Sequence, residues 1–322
     1  MKTWRWQFMK KYKVAVCISG LMRYWKITSK LFEYWNTLFN DVEFYFFLSA
    51  WKDVSDIPLT TTDNLSKLVR EENDFGKYKF LTKYKYLNYN DVSYESQPHK
   101  CGEINSKGQK IDNPGFKIPR LYTYALHQVS ELRRSYEKEN NLEFDGVIHT
   151  RNDILISKDV LITIRDLCCR RLVTPDVFFG MKEIKERPVY NLPKEWGKFS
   201  LLDTFGFAHP SVMYEYSKMY NDCYITGKNK AAGGNRQNAE QLILKNIKVL
   251  KLTRFIKKIS LGNNCYVLVL RHDNTAQNGI PGFPTPEQLE YLITHRGMNF
   301  TLNMNRVQRK KYFCENWKDN IK

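Results

Sequence analysis

Apolar and polar positions along the chain fall into two kinds of run, short continuous ones and longer ones with helical spacing. Tyr12–Ile18 (YKVAVCI) is almost wholly apolar, as expected of a strand buried on both faces of a parallel sheet. It breaks at Ser19-Gly20. Between Ile27 and Phe39, apolar residues recur at Leu31, Tyr34, Trp35 and Leu38, one face of a helix. Phe44–Leu48 reads as a second strand. Strand, helix, strand is the opening of an α/β fold. Residues 52–78 are polar and loop-like, a third strand is expected near Tyr84–Tyr89, and residues 90–118 show little periodicity. The spacing of Leu121, Ala125, Val129, Leu132 and Tyr136 predicts a helix over Pro119–Glu139, with proline in its first turn.

The next stretch, Phe144–Ile156 (FDGVIHTRNDILI), organises the reading of function. An acidic turn leads into an apolar strand, which ends in the polar cluster Arg151-Asn152-Asp153 before a second apolar run, Ile154–Ile156. Charges among apolar sequence are rarely buried unless paired. Arg151 and Asp153 therefore admit two readings. One is a structural ion pair that closes the strand end. The other is a ligand site at the carboxyl end of a sheet strand, where open α/β sheets bind substrates. Ser19, Gly20 and Arg23 stand at the first strand's end: glycine permits close backbone approach, and an arginine can fork onto a diphosphate. The alternative there is an ordinary turn with a surface arginine.

Farther on, Val160–Leu167 is ambiguous between helix and strand, and Val177–Met181 and Leu201–Ala208 (LLDTFGFA) read as strands, the latter carrying Asp203. His209-Pro210-Ser211 introduces a helix over Ser211–Asn221, with His209 shaping the turn. Residues 226–238 are glycine-rich and basic, a candidate lid. Glu240 opens a helix to Lys248; a first-turn glutamate also suits a helix dipole without further purpose. Cys265–Leu270 is a late strand ending in Arg271-His272-Asp273.

Composition adds three constraints. A net charge of +17 over 322 residues points to polyanionic partners, whether nucleic acid, phosphate-bearing substrates or an anionic membrane surface. The seven cysteines are scattered without a C-x-x-C pair, which argues against a disulfide framework or zinc module and suits a reducing cytosol. No apolar run reaches transmembrane length. Asp153, Asp203 and Glu240, with Arg23, Arg151 and Arg271, make the minimal kit for a nucleotide-diphosphate donor. In it a carboxylate holds Mg²⁺ or Mn²⁺, arginines neutralise the leaving group and a second carboxylate serves as base.

VAVCISGLMRYW, YEKENNLEFDGVIHTRNDILI, LLDTFGFAHPSVMYEYSKMY and NAEQLIL occur in that order. Together they resemble a loosely characterised group of glycosyltransferases with a GT-A-like fold, found in phages, large DNA viruses and bacterial surface-glycan clusters. The resemblance spans about residues 12–250. In that group the central strand reads YD-x-(V/I)-x-R-x-R-x-D; Arg151 and Asp153 match, and His149 replaces the first arginine. From the residues, 1–11 read as a basic tail or an added first turn and 274–322 as a Pro/Gly-containing, basic extension packing on the domain; for the domain between, 12–273, the resemblance implies a mainly parallel mixed sheet flanked by helices. It further implies a nucleotide-sugar donor held by Ser19, Gly20, Arg23, Arg151 and Asp153, with Asp153 as metal ligand, Asp203 near the acceptor and Glu240 as base. The acceptor would be a glycan, a lipid-linked molecule or a protein, in the cytoplasm or at a membrane surface. Here Arg-x-Asp replaces the Asp-x-Asp of GT-A enzymes, so the arginine can supply charge that a Mn²⁺ or Mg²⁺ ion would otherwise bring. The rival expectation is a non-catalytic nucleic-acid-binding protein, supported by the charge and by the interleaved lysines and aromatics of Lys77–Tyr89. A third is a degenerate transferase that binds glycans.

Overall fold

The computed structural model describes residues 11–20, 25–51, 88–92, 114–151, 153–175, 178–182, 201–219, 256–258, 267–269, 286–305, 307–308 and 311. The continuous apolar run becomes strand β1 (Tyr12–Gly20), followed by helix α1 (Trp25–Leu38) and strand β2 (Val42–Trp51). Then come β3 (Asn88–Val92), α2 (Pro114–Glu139) and β4 (Gly146–Thr150). The second apolar run of the central stretch is a separate strand, β5 (Ile154–Ile156), and leads into α3 (Lys158–Cys169). Strands β6 (Phe178–Lys182) and β7 (Leu201–Ala208) precede α4 (Pro210–Ser217). Short strands β8 (Ile256–Lys258) and β9 (Val267–Val269) and helix α5 (Pro286–Asn303) complete the described elements.

Among the described residues the main sheet has seven strands in the order β3-β2-β1-β4-β7-β6-β8. Strands β3, β2, β1 and β4 are mutually parallel, β7 runs antiparallel to β4 and β6, and β8 is parallel to β6. The chain is therefore α/β with a mixed, mainly parallel sheet. Among the described residues β5 pairs with β9, in a small antiparallel ribbon.

Period-two alternation in β1 and β2 serves two helical layers, which is why both strands read as unbroken apolar sequence. Val14, Val16, Ile18, Phe44, Phe46 and Leu48 pack against Phe32 and Trp35 of α1 and Val160, Leu161 and Ile164 of α3. The other face carries Ala15, Cys17, Tyr45 and Phe47 against Leu126 and Val129 of α2 and Val212, Met213 and Tyr216 of α4. Each large side chain so buried contributes about 1.5–3 kcal/mol of transfer free energy. Helices α1 and α2 thus cover opposite faces, as right-handed crossovers in opposite directions require. Helix α5 adds a satellite layer, with Leu289 and Leu302 against Ile27 and Leu31 of α1 and Leu155 of β5. It bends at Gly297, where φ is 77° and ψ is 163°.

Several boundaries differ from the sequence expectation. The third strand lies at Asn88–Val92, because it pairs with Phe47–Trp51 at the free edge of β2. Helix α2 begins at Pro114, so Pro119 sits within its opening turns and the helix forgoes one backbone bond there. The ambiguous Val160–Leu167 is helical, since Val160, Leu161, Ile164 and Cys168 form a single buried stripe. The segment after Asn274 contains a helix that the sequence reading did not anticipate. The expected lid at 226–238 and the helix from Glu240 to Lys248 lie outside the described residues.

Candidate functional site

Among the mutually parallel strands described, the order reverses at β1. From β1 the chain lays down β2 and β3 on one side, and β4 then returns to the other side of β1. Ligands of open α/β sheets bind outside the carboxyl ends of strands at such a reversal. Here those ends carry Ser19-Gly20 from β1 and Thr150-Arg151 from β4, with Ile18 and Thr150 in register.

The sequence changes character at this edge. Strands β1, β2 and β4 run apolar over 14–18, 44–48 and 146–148 up to Ser19, Ser49 and His149, and all three polar side chains are buried. The imidazole Nε2 of His149 and the hydroxyl of Ser19 are hydrogen-bonded at 3.1 Å, a link across β1 and β4. Burial first, and then the charge of Arg151, pushes the His149 pKa down to about 3, so the ring is neutral at physiological pH. The hydroxyl of Ser49, in register with Ser19, has no hydrogen-bond partner among the described residues. Gly20 has φ of +112°, a backbone that L side chains rarely adopt, and no atom lies within 4 Å of where a Cβ would stand. Its need for glycine is conformational, not spatial.

Arg151 and Asp153 form a fork. Nε donates to Oδ1 at 2.9 Å and Nη2 to Oδ2 at 2.5 Å. The two ends differ in exposure: the Asp153 side chain is 2% exposed and that of Arg151 is 21% exposed. The carboxylate is interior and the cation faces outward. The ion pair expected from sequence is present, just past the carboxyl end of β4.

Other expected site residues are placed less fully. Asp203 belongs to β7, two residues before Phe205, which opposes Thr150; the antiparallel register brings its end of β7 to the carboxyl edge. Arg23, Glu240 and Arg271 lie outside the described residues. His209 caps α4, its Nδ1 accepting from the Ser211 backbone N–H at 3.3 Å, as the turn-shaping reading expects. The cysteines described here are not activated. Burial pushes the Cys17 thiol up to about 12 and also raises Cys169, while Cys168 is buried in the core.

A divalent ion does not fit the described residues as they stand. Both oxygens of Asp153 are engaged by a guanidinium, and no group of three His, Cys, Asp or Glu residues that could hold a metal occurs among the described residues. A cavity of about 560 Å³ opens at the opposite, amino-terminal edge, lined by Lys11, Lys13, Asp145, Arg171 and His209 among others. Part of that lining already serves the fold: Lys11 pairs with Glu43, Asp145 accepts from the Lys13 N–H, and His209 caps α4. The carboxyl edge is therefore the stronger candidate. No described helix is long and apolar enough to cross a membrane.

Sequence reasoning found Ser19, Gly20, Arg151 and Asp153 but passed over Ser49, and it saw His149 only as a departure from a motif. The signal that marks both is the apolar-to-polar change at the ends of neighbouring parallel strands.

No family model matches the chain, and no curated protein matches it. Among solved structures, the crystal structure of a glycosyltransferase involved in the glycosylation of the major capsid of PBCV-1 is similar over 81% of this chain and 84% of that one. Its identity is 10% and its TM-score 0.37, a level of likeness that bears on neither activity nor site.

Proposed function

We propose that the chain is a nucleotide-sugar-dependent glycosyltransferase of GT-A-like architecture whose donor diphosphate lies at the β1–β4 reversal. The observation that carries this reading is the convergence of Ser19, Gly20, His149, Arg151 and Asp153 on the carboxyl edge of a mainly parallel sheet, where the order of its parallel strands reverses. The sequence resemblance supports it independently. Gly20 gives the diphosphate close access to backbone, and the outward guanidinium of Arg151 offers planar, bidentate donors to phosphate oxygens.

In the proposed reaction an acceptor hydroxyl oxygen attacks the anomeric carbon while the bond from that carbon to the diphosphate oxygen breaks. The hydroxyl proton passes to a carboxylate, Glu240 or Asp203. The nucleoside diphosphate leaves with the bonding pair, its added charge offset by Arg151. One such displacement inverts the anomeric configuration. The acceptor is a glycan, a lipid-linked molecule or a protein, and the chain's surplus positive charge suits anionic donors and an anionic membrane surface.

The test is a thermal-shift screen against nucleotides and nucleotide-sugars, followed by transfer assays with the best donor. Donors should raise the melting temperature of the wild type by mass action and leave Asp153→Ala unmoved. A well-folded sample that ignores every nucleotide, yet binds DNA or RNA with steep salt dependence, would replace this reading by the nucleic-acid-binding one.

A further inference from the structure

We infer that the cavity at the amino-terminal edge of the sheet is a second binding site, which takes phosphate, free or as a small monoester, with Arg171, Lys13 and His209 as its donors. It stands at the opposite edge from the proposed donor site and does not depend on the donor reading.

The first observation is a residue in a conformation it does not suit. Helices α2 and α3 end in the same Schellman motif. In α2 the Leu142 N–H returns to the Glu137 carbonyl at 2.9 Å, and Asn141 takes the left-handed position, with φ of 47°. In α3 the Leu172 N–H returns to the Leu167 carbonyl at 2.9 Å and the Arg171 N–H to the Cys168 carbonyl at 3.0 Å, with φ of 54° at Arg171. Glycine is the usual residue at that position, having no Cβ to crowd the next carbonyl, and asparagine is the usual substitute. An arginine carries the strain without improving the cap. Its side chain is therefore the part that calls for a role.

The second observation is where that side chain stands. Arg171 lines the cavity of about 560 Å³, a volume within the range of about 300–1,000 Å³ usual for small-molecule sites. Its guanidinium forms no hydrogen bond or ion pair among the described residues. Lys13 lines the same cavity, and its ammonium also forms neither there, acting on Glu43 through its field alone. His209 adds a neutral donor: its Nδ1 accepts from the Ser211 N–H, which leaves the ring proton on Nε2. The other charged groups of the lining are partly engaged. Lys11 is paired with Glu43, and Asp145 accepts from the Lys13 N–H, so exposed Glu143 is the main opposing carboxylate.

Two cations and a neutral N–H suit a small dianion. A guanidinium meets two phosphate oxygens with its planar fork, and an ammonium meets a third as a point charge. A phosphate monoester carries nearly two negative charges at neutral pH and offers three acceptor oxygens. Phe144 and Val173, also in the lining, give its organic part an apolar side to rest on.

The experiment is titration calorimetry of the full chain with inorganic phosphate and with glucose 6-phosphate at fixed ionic strength, beside thermal melts in phosphate-free buffer. Wild type is compared with Arg171→Gly, Lys13→Gln, Arg170→Gln and Arg151→Gln. Arg170 is an exposed neighbour that does not line the cavity. Arg171→Gly should melt about 2 °C above wild type, because the strain is relieved, and yet bind phosphate about tenfold or more weakly. Lys13→Gln should bind about threefold or more weakly, while Arg170→Gln and Arg151→Gln stay within about twofold of wild type. If Arg171→Gly binds as tightly as wild type, or melts below it, the arginine is not kept for a ligand and the inference fails. Equal losses in Arg170→Gln and Arg171→Gly would show diffuse attraction to a basic surface, and the inference fails again. Binding lost in Arg151→Gln and kept in Arg171→Gly would put the phosphate at the carboxyl edge, which overturns the inference and strengthens the donor reading. If wild type binds neither probe, this site falls and the donor reading, tested with nucleotides, is untouched.

Discussion

The two edges of the central sheet use the same residues for different ends. At the amino-terminal edge several polar contacts among the described residues join parts of the chain that are distant in sequence. The Lys13 N–H donates to Asp145, the Asp145 N–H donates back to the Lys13 carbonyl, and Arg165 of α3 grips both oxygens of Asp41 at 2.7–2.9 Å. That grip, and the hydrogen bonds in it above all, holds the Asp41 carboxyl below its usual pKa. At the carboxyl-terminal edge the arginine grips a carboxylate two residues away. The hydroxyls and imidazole beside it are buried at the ends of apolar runs in their strands. At the carboxyl edge the Ser19–His149 bond also bridges two strands, while the Arg151–Asp153 fork is local. The contrast is informative because both edges belong to the same strands and the same core.

The comparison can be broken most sharply at the two arginines. Arg151→Ala would strand the buried Asp153 carboxylate, and a loss of about 3 kcal/mol in urea-unfolding free energy is expected. Arg165→Ala leaves Asp41 near solvent, and the side chain removed is 38% exposed. Its expected loss is at most about 1 kcal/mol. Equal losses would mean that the Asp153 carboxylate is no costlier to leave unpaired than the more exposed Asp41, contrary to its burial.

A second test asks whether the amino-terminal edge is the tightly packed one. A Cβ on Gly146, at the start of β4, would stand 2.6 Å from the ring of Phe207, which is fully buried. Gly146→Ala should therefore cost about 2 kcal/mol through overpacking. Gly20→Ala meets open space but a φ of +112°, and about 1 kcal/mol is expected from backbone strain alone. A thermal melt that ranks Gly20→Ala as the worse variant would reverse the assignment of packing to one edge and conformation to the other.

A pH titration sharpens the picture at His149. Its folded pKa is depressed to about 3, so the unfolded chain takes up a proton near pH 6.5 that the folded chain refuses. The stabilisation is present above that pH and fades as pH falls from about 6.5 towards 3, by up to about 1.4 kcal/mol per pH unit. Half-buried His209, whose pKa is also lowered by burial, adds a slope of the same sign, so the decisive quantity is the difference between wild type and His149→Gln. Stability curves of the two proteins that run parallel from pH 7 to pH 5 would show that His149 is not held neutral.

The smallest effect concerns the unpartnered Ser49 hydroxyl. Ser49→Ala removes a buried oxygen that forms no hydrogen bond among the described residues, so stability should be unchanged or higher by up to about 1 kcal/mol. Combined with weaker nucleotide affinity, that gain would show a hydroxyl kept for a ligand at some cost to the fold. A loss of stability would mean that the hydroxyl is already satisfied within the protein.

Much of this was legible from the chain alone, and the reason is local. Strands buried on both faces must be continuously apolar, so Tyr12–Ile18 and Phe44–Leu48 were visible without any structure, as was the polar interruption at Arg151–Asp153. The helical stripe of α2 was equally plain, because Ala125 and Val129 recur at its period. What tertiary structure decided was adjacency. Only pairing places β4 beside β1, across an intervening 125 residues between Gly20 and Gly146, and so turns three separate strand ends into one edge. Only burial shows that Asp153 lies inside and Arg151 outside, because solvent access depends on what packs around a residue and not on its neighbours in sequence. The residue types were written locally, and the direction in which the charge faces was settled by the fold.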